Sequence, residues 1–397
     1  MINKQIELKK GKDMPVKAGH PWIFSGGIHY ADPALKTGDI ADVYSADGSY
    51  LASGSYHRDN SIRVRIISKV QDLTFGTDYF IERFRALSQI KKKILPEGTT
   101  GYRLVHSDAD SMPGLVIDIY ADNIVIQINT AAMENFRPHL IESLVSVFAP
   151  KAIIERSDLD NRRLDHLQPL DPVCRYGSTS DGLSVFTENN IKMISDMMEG
   201  QKTGFFLDQR DARIYVKNIS SGRRVLNLFS YTGGFSVSAA AGGAEEIISV
   251  DVSKRALKIA QDIFELNSGK ISGKIKTSFI EDDVFDYLSK NKRNFDIIIC
   301  DPPAFAKKKE NIAEASKAYI RLNRMCMEAT SLGTIIVSSS CSGMLGWSDF
   351  SNILRISTGQ AGKEAAVIAE FSQAPDHTRK ISFPEGNYLK TAVLLVN

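Results

Sequence analysis

Short apolar-alternating runs separated by turn residues fill the first 75 positions. Ile6–Leu8, Ile40–Tyr44, Tyr50–Gly54 and Ser61–Ile67 are bounded by Gly11, Gly19, Gly26-Gly27, Gly38 and His57–Asn60. A period of two marks strands with one face buried, and Asp47-Gly48 between two of the runs is a hairpin signal. The pattern predicts a small β-barrel over residues 1–75. Apolar residues then recur at helical spacing (Phe80, Phe84, Leu87, Ile90, Ile94) until Pro96-Glu97-Gly98 stops the helix. Strands at Tyr102–His106, Leu115–Tyr120 and Ile124–Ile128, a helix over about 134–148 and a strand at Ala152–Glu155 predict a central α+β module. Residues 157–182 are polar, contain Pro169 and Pro172, and read as a connecting loop, so this module with its linker occupies 76–182.

From 183 to 397 the rhythm changes. Val225–Phe229, Ile247–Asp251, Thr277–Glu281, Phe295–Cys300 and Thr334–Ser338 are short apolar strands. Helical patterns at about 235–242, 253–267, 284–290 and 311–330 fall between them. Such alternation predicts a parallel, doubly wound, Rossmann-like α/β domain.

At 397 residues the chain is long enough for two to three domains. Hydrophobic residues at 43% and charged residues at 24% exclude wholesale disorder. No apolar run approaches the ~18 residues of a membrane span, and Met1–Lys10 lacks the apolar core of a secretory signal. A soluble, cytoplasmic protein is expected. The four cysteines form neither a CxxC pair nor a Cys/His cluster, so neither a disulfide framework nor a metal site is expected. A net charge of +2 announces no nucleic-acid partner. The basic islands Lys91–Lys93, Arg223-Arg224 and Lys307–Lys309 shift the picture modestly toward RNA.

Ligands of a doubly wound sheet bind beyond the carboxyl ends of its strands, so the residues after each strand carry the chemistry. The first strand leads into Ser230-Tyr231-Thr232-Gly233-Gly234, where paired glycines let the backbone approach a ligand without matching the GxGxxG dinucleotide fingerprint. Asp251 ends the second strand, where an acid accepts from ribose hydroxyls or caps the next helix. Asp283 follows the third strand with the same two readings, as an adenine contact or a cap. Asp301-Pro302-Pro303-Ala304-Phe305 follows the fourth, its prolines fixing the backbone so that the acid stays at the sheet's rim. Cys341 exits the fifth among small residues. If the last two strands are neighbours, about 4.8 Å apart, Asp301 and Cys341 meet in one crevice, and the thiol is a candidate nucleophile. Cys174, Cys300 and Cys326 read as structural.

These pieces resemble a class I S-adenosylmethionine-dependent methyltransferase, and more narrowly the large-subunit rRNA 5-methylcytosine methyltransferase family with an N-terminal PUA domain. The resemblance is carried in order by Gly19–Gly26, Tyr102–His106, Pro113–Asp118, Gly200–Arg210, Leu226–Gly234, Asp301–Pro303, Ser340–Gly343 and Phe383–Lys390. It implies a PUA-like barrel, a central α+β module and a Rossmann-like methyltransferase domain, with S-adenosylmethionine as cofactor and RNA as partner. By similarity, Cys341 adds to pyrimidine C6 and Asp301 hydrogen-bonds the ring edge. Related enzymes carry a second cysteine after the proline motif; Ala304 stands there here, leaving Cys341 as the one thiol. The resemblance further implies that Asp251 holds the ribose, Asp283 the adenine, and Asn227, Phe229 and Tyr231, Thr232, Gly233 and Gly234 the methionine portion. Asp208, Gln209 and Arg210 match the cofactor-side segment, with Arg210 alternatively meeting RNA phosphate. Pro302, Pro303 and Phe305 are expected at the base, and Trp22 and Arg63, with Phe24 and Arg65, on RNA. Trp22 and Phe24 read equally as barrel core. The competing readings are 5-methyluracil formation, methylation of an exocyclic amine, and a non-catalytic RNA-binding assembly factor. A homodimer is left open, and no membrane or metal partner is expected.

Overall fold

A computed structural model of the chain describes residues 4–158, 160–271, 275–291, 295–305 and 311–397; the Lys307–Lys309 island lies outside them. The chain forms two compact units. One comprises Met1–Phe186, Ser195–Phe206 and Pro375–Gly386, the other Thr187–Ile194, Leu207–Ala374 and Asn387–Asn397.

In the first unit, β1 (Lys4–Leu8), the short helix α1 (Met14–Lys17), β2 (Trp22–Phe24), β3 (Ile28–Ala31), β4 (Ile40–Tyr44), β5 (Tyr50–Tyr56) and β6 (Ile62–Ser68) follow one another. The strands form a six-stranded sheet in the order β2-β6-β5-β4-β1-β3. β4 and β5 pair as the antiparallel hairpin expected from Asp47-Gly48. Alternate residues Ile6, Leu8, Ile23, Val43, Ala52, Val64 and Ile66 turn inward to one apolar core.

The same unit continues through α2 (Thr77–Ile94), β7 (Gly101–His106), β8 (Leu115–Tyr120), β9 (Asn123–Ile128), α3 (Ala131–Asn135), α4 (Arg137–Phe148), β10 (Ala152–Glu155) and β11 (Val173–Gly177). Phe80, Phe84 and Leu87 of α2, with Leu140 and Leu144 of α4, bury against the five-stranded sheet β11-β10-β9-β8-β7. The expected loop 157–182 is therefore interrupted by a strand. β11 is an edge strand paired to β10 through its main chain, and its side chains are largely exposed, so no alternation announces it. β12 (Leu183–Glu188) and β13 (Ile191–Asp196) form a two-stranded sheet, turned at Asn189 and Asn190, which both have positive φ. The expected boundary at 183 falls at this hairpin, whose strands are divided between the units.

The second unit carries α5 (Arg210–Ile219), β14 (Arg224–Leu228), α6 (Gly234–Ala241), β15 (Glu246–Asp251), α7 (Lys254–Leu266), β16 (Lys276–Glu281), α8 (Val284–Lys290) and β17 (Ile297–Cys300). It ends with α9 (Ile312–Glu328), β18 (Ile335–Ser340), α10 (Trp347–Gln360), β19 (Ala365–Phe371) and β20 (Lys390–Val396). The strand order is β16-β15-β14-β17-β18-β20-β19. The five strands read from the sequence are parallel, and β20 lies antiparallel to both β18 and β19. The alternation of the strands explains the double winding. Val225, Ile297, Ile299, Ile335 and Val337 pack on one face with Val216 of α5 and Phe235 and Ala239 of α6. Leu226, Leu228, Ile298 and Ile336 pack on the other with Leu322 and Cys326 of α9 and Phe350 and Leu354 of α10. Order reverses between β14 and β17, which places the switch point beyond their carboxyl ends.

Candidate functional site

The chain leaves β14 through a turn of unusual backbone. Phe229, Tyr231 and Gly233 have φ of 56°, 47° and 76°, and left-handed non-glycine residues persist only where their surroundings hold them there. A Cβ on Gly233 would stand 2.8 Å from Cβ of Ala260 on α7, so glycine is required both for conformation and for space. The Asp251 carboxylate, at the end of β15, accepts the backbone N–H of Tyr231 at 2.8 Å on one oxygen and that of Ser253 at 2.8 Å on the other. It fixes the turn and keeps lone pairs in reserve. Within the turn, the buried hydroxyl oxygens of Ser230 and Thr232 meet no partner among the described residues, which fits a place that a polar ligand completes.

Asp301 and Cys341 leave adjacent parallel strands. Cys300 stands opposite Ser338 in the β17–β18 register. β18 runs two residues beyond the expected strand, because Ser338 and Ser339 satisfy their buried hydroxyls on Asn323 (2.6 Å) and Thr391 (2.9 Å). Cys341 therefore emerges next to the proline turn, its Sγ 3.9 Å from the carbonyl oxygen of Pro302. Both Asp301 and Cys341 are half-buried. One oxygen of Asp301 accepts Nε2 of Gln209 at 3.0 Å, and Oε1 of Gln209 accepts the Thr391 hydroxyl at 3.3 Å. Asp208 beside it accepts the Tyr388 hydroxyl at 2.7 Å.

The other thiols differ in surroundings. Cys300 is fully buried; its hydrogen bond with Cys326 and its burial push it well above the ordinary thiol range. Cys326 is equally buried, and Cys174 is exposed on β11.

Lys390, assigned no role in the sequence, is the residue the reading missed. It is 1% exposed and donates to the carbonyls of Ser342 (2.7 Å), Leu345 (2.6 Å) and Tyr388 (2.8 Å), two of them in the turn after Cys341. Burial pushes its ammonium down to about 8. A lysine opening an otherwise apolar strand was the available signal.

Several of the expected site residues also have partners within the chain. Asn227 is buried and donates to Ser236 at 2.9 Å, which bonds Ser249 at 2.7 Å, so it links strands to α6 beneath the turn. Arg210 is fully buried with Nε 3.4 Å from Glu188, which the phosphate reading does not survive: a guanidinium closed off from solvent meets no RNA. Asp283 caps α8, accepting the N–H of Phe285 at 2.8 Å and of Asp286 at 3.2 Å. Gly234 opens α6. Pro302 is buried and Pro303 exposed; the ring of Phe305 packs 4.7 Å from that of Tyr319.

In the first unit Ile23 faces the core while its neighbours Trp22 and Phe24 face outward, so the barrel-core reading of those two gives way. Trp22 donates its indole N–H to Asp108 at 2.7 Å, and its ring contacts Phe383 at 4.7 Å and carries Arg65 at 5.1 Å. Phe24 is 48% exposed. Arg63 donates to the His57 carbonyl at 3.2 Å.

The strained glycine turn, the unsatisfied Ser230 and Thr232 hydroxyls and the Asp251 carboxylate fit the S-adenosylmethionine that the resemblance implies. A family model described as S-adenosylmethionine-dependent methyltransferase matches residues 144–350, and one described as PUA-like domain matches 6–69. A ribosomal RNA large subunit methyltransferase I from Serratia proteamaculans (strain 568) is 37% identical over 390 residues, covering 97% of this chain and 98% of its own. The protein of the same name from Aeromonas salmonicida (strain A449) is 37% identical over 394 residues, covering 98% of each. Among solved structures, a methyltransferase crystallised with SAH shares 26% identity and a TM-score of 0.83 over 100% of both chains. The chain thus belongs to the PUA-domain-bearing S-adenosylmethionine-dependent methyltransferases, in the family that includes the ribosomal RNA large subunit methyltransferase I proteins.

Proposed function

We propose that the protein methylates carbon 5 of a cytosine in large-subunit ribosomal RNA, with Cys341 as nucleophile and Asp301 as its partner at the base. The relatives' shared name supports the RNA substrate, and the PUA-like barrel supports RNA capture. The observation that carries the chemistry is the half-buried Cys341 thiol at the exit of β18, beside the Asp301-Pro302-Pro303 turn.

S-adenosylmethionine, held by the Phe229–Gly234 turn and Asp251, supplies an electrophilic methyl group when bound. Carbon 5 of cytosine is too weak a nucleophile to accept it unaided. Thiolate addition from Cys341 to C6 makes a covalent bond and pushes the C5–C6 π electrons onto C5. Asp301, fixed by Gln209, hydrogen-bonds the ring edge and stabilises the charge that develops during addition. Once C5 carries the methyl group, loss of its proton returns electrons to the C5–C6 bond and expels the Cys341 thiolate. A stacked base hides C5 and C6, so the target nucleotide is unstacked first.

Cys341→Ala is expected to abolish methylation while leaving S-adenosylmethionine binding intact by calorimetry. RNA containing 5-fluorocytosine is expected to trap a covalent adduct, because fluorine does not leave as a proton does. Methylation persisting in Cys341→Ala would instead favour transfer to an exocyclic nitrogen. Mass mapping of rRNA from cells with and without the protein identifies the nucleotide.

A further inference from the structure

We propose that Lys390 is a positioning residue that holds the Cys341 turn in place and favours the thiolate form of that cysteine. The inference rests on the reading of Cys341 as the nucleophile. Its basis is geometric. Cys341 leaves β18 into a segment without helix or strand, Cys341–Gly346, and a nucleophile on an untethered turn would sample many positions. The neighbouring strand β20 supplies the tether. The Lys390 ammonium has three N–H donors, and the carbonyls of Ser342, Leu345 and Tyr388 accept at 2.6–2.8 Å. Two of those carbonyls bracket the turn from the residue after Cys341 to the end of the loop. Tyr319 of α9 adds a hydroxyl contact to Ser342 at 3.3 Å.

A lysine with 1% exposure is desolvated at a cost that three neutral carbonyls only partly offset. Cys341 and Asp349 both act electrostatically to hold its proton on, and a thiolate at Cys341 would add to that compensation. Among the described residues, the titratable groups around the turn include Asp301 after β17, Tyr319 on α9, Asp349 on α10 and Lys390 on β20. Of these described groups Lys390 carries the positive charge, and the carboxylates of Asp301 and Asp349 both oppose a thiolate. The sign follows: with Lys390 protonated, deprotonation of Cys341 is favoured. Its ammonium, lowered to about 8 by burial, withdraws this support as pH rises through that value.

The test is the pH dependence of iodoacetamide alkylation at Cys341, read by mass spectrometry on the full chain. A Cys174→Ser background removes the exposed thiol, and Cys174→Ser/Cys341→Ala is the blank. Lys390→Met is expected to raise the alkylation midpoint by about one pH unit, the scale on which a close opposite charge acts on a thiol. Lys390→Arg, which keeps charge and donors, is expected to return it toward the parent value. An unchanged midpoint in the methionine variant overturns the proposal. Should that variant not fold, Lys390→Gln keeps an N–H donor without the charge and decides on the same readout. The thiol titrates whether or not it is the nucleophile, so retained methylation in Cys341→Ala would sink the catalytic reading and leave this measurement standing.

Discussion

Asp301 is the carboxylate proposed to act at the base. Two prolines prevent the strand from continuing past it, and Gln209 donates to one of its oxygens at 3.0 Å. Asp301→Asn retains the size of the side chain and removes the charge. If the carboxylate stabilises addition to the pyrimidine, turnover falls by about 10²–10³, the loss seen when one preorganised polar group at a developing charge is removed. S-adenosylmethionine affinity is expected to hold, because the cofactor turn after β14 draws on other residues. Single-turnover methylation alongside calorimetry checks both; a variant within a factor of two of the parent would remove Asp301 from the mechanism. Gln209→Ala belongs to the same comparison. It frees the Asp301 oxygen without touching the charge, and an intermediate loss of turnover is expected.

At the scale of the element, the β14–α6 turn, proposed to hold the cofactor, keeps Phe229, Tyr231 and Gly233 at positive φ. Gly233→Ala adds a left-handed penalty of ~1–2 kcal/mol and forces a contact that α7 has to yield to, since Ala260 stands 2.8 Å from the new Cβ. The expected outcome is a lower melting temperature and a drop of about tenfold or more in S-adenosylmethionine affinity, read by thermal shift with and without cofactor. Undiminished binding would separate the turn from the cofactor. The neighbouring elements also show what was legible in the sequence. The four inner parallel strands β15, β14, β17 and β18 were readable because a strand buried on both faces is largely apolar. β16 at the edge was readable from its place in the strand–helix alternation, and Asp301 and Cys341 stood out because both sit where inner strands end. β11 and β19 were not, as their exposed edge-strand side chains carry no alternation and neither falls in the strand–helix rhythm that gave β16 away. The bonds from Gln209 to Asp301 and from Tyr388 to Asp208 join residues 92 and 180 positions apart, and nothing local in either stretch specifies its partner. The internal partners of Asn227 and Arg210 are likewise revealed only by the folded chain.

Across the whole molecule, the proposed chemistry and the proposed capture of RNA would fall to different compact units. The candidate chemistry lies in the second, while the first presents an aromatic and basic face built from distant stretches. His20, Trp22 and Phe24 of the barrel join Phe383 from the Pro375–Gly386 segment, with Arg65 over the indole of Trp22. A stacking surface edged by a guanidinium is suited to unpaired nucleotides, whose π faces are available where a duplex hides them. Phe24 is the informative position. Removing Trp22 also strips Asp108 of its indole donor, so a loss there mixes binding with folding, whereas Phe24 is 48% exposed and its removal leaves no polar partner behind. Base stacking on an aromatic side chain is worth ~1–3 kcal/mol, so Phe24→Ala is expected to weaken RNA binding by about fivefold or more. The melting temperature and S-adenosylmethionine affinity should stay at parent values. Arg65→Ala is expected to lower affinity and, if its guanidinium meets phosphate, to flatten the salt dependence by roughly one ion. Fluorescence anisotropy with a single-stranded rRNA fragment across a salt series measures both. Equal RNA affinity in parent and Phe24→Ala would move the RNA-binding surface off this face, and would do so without touching the assignment of Cys341.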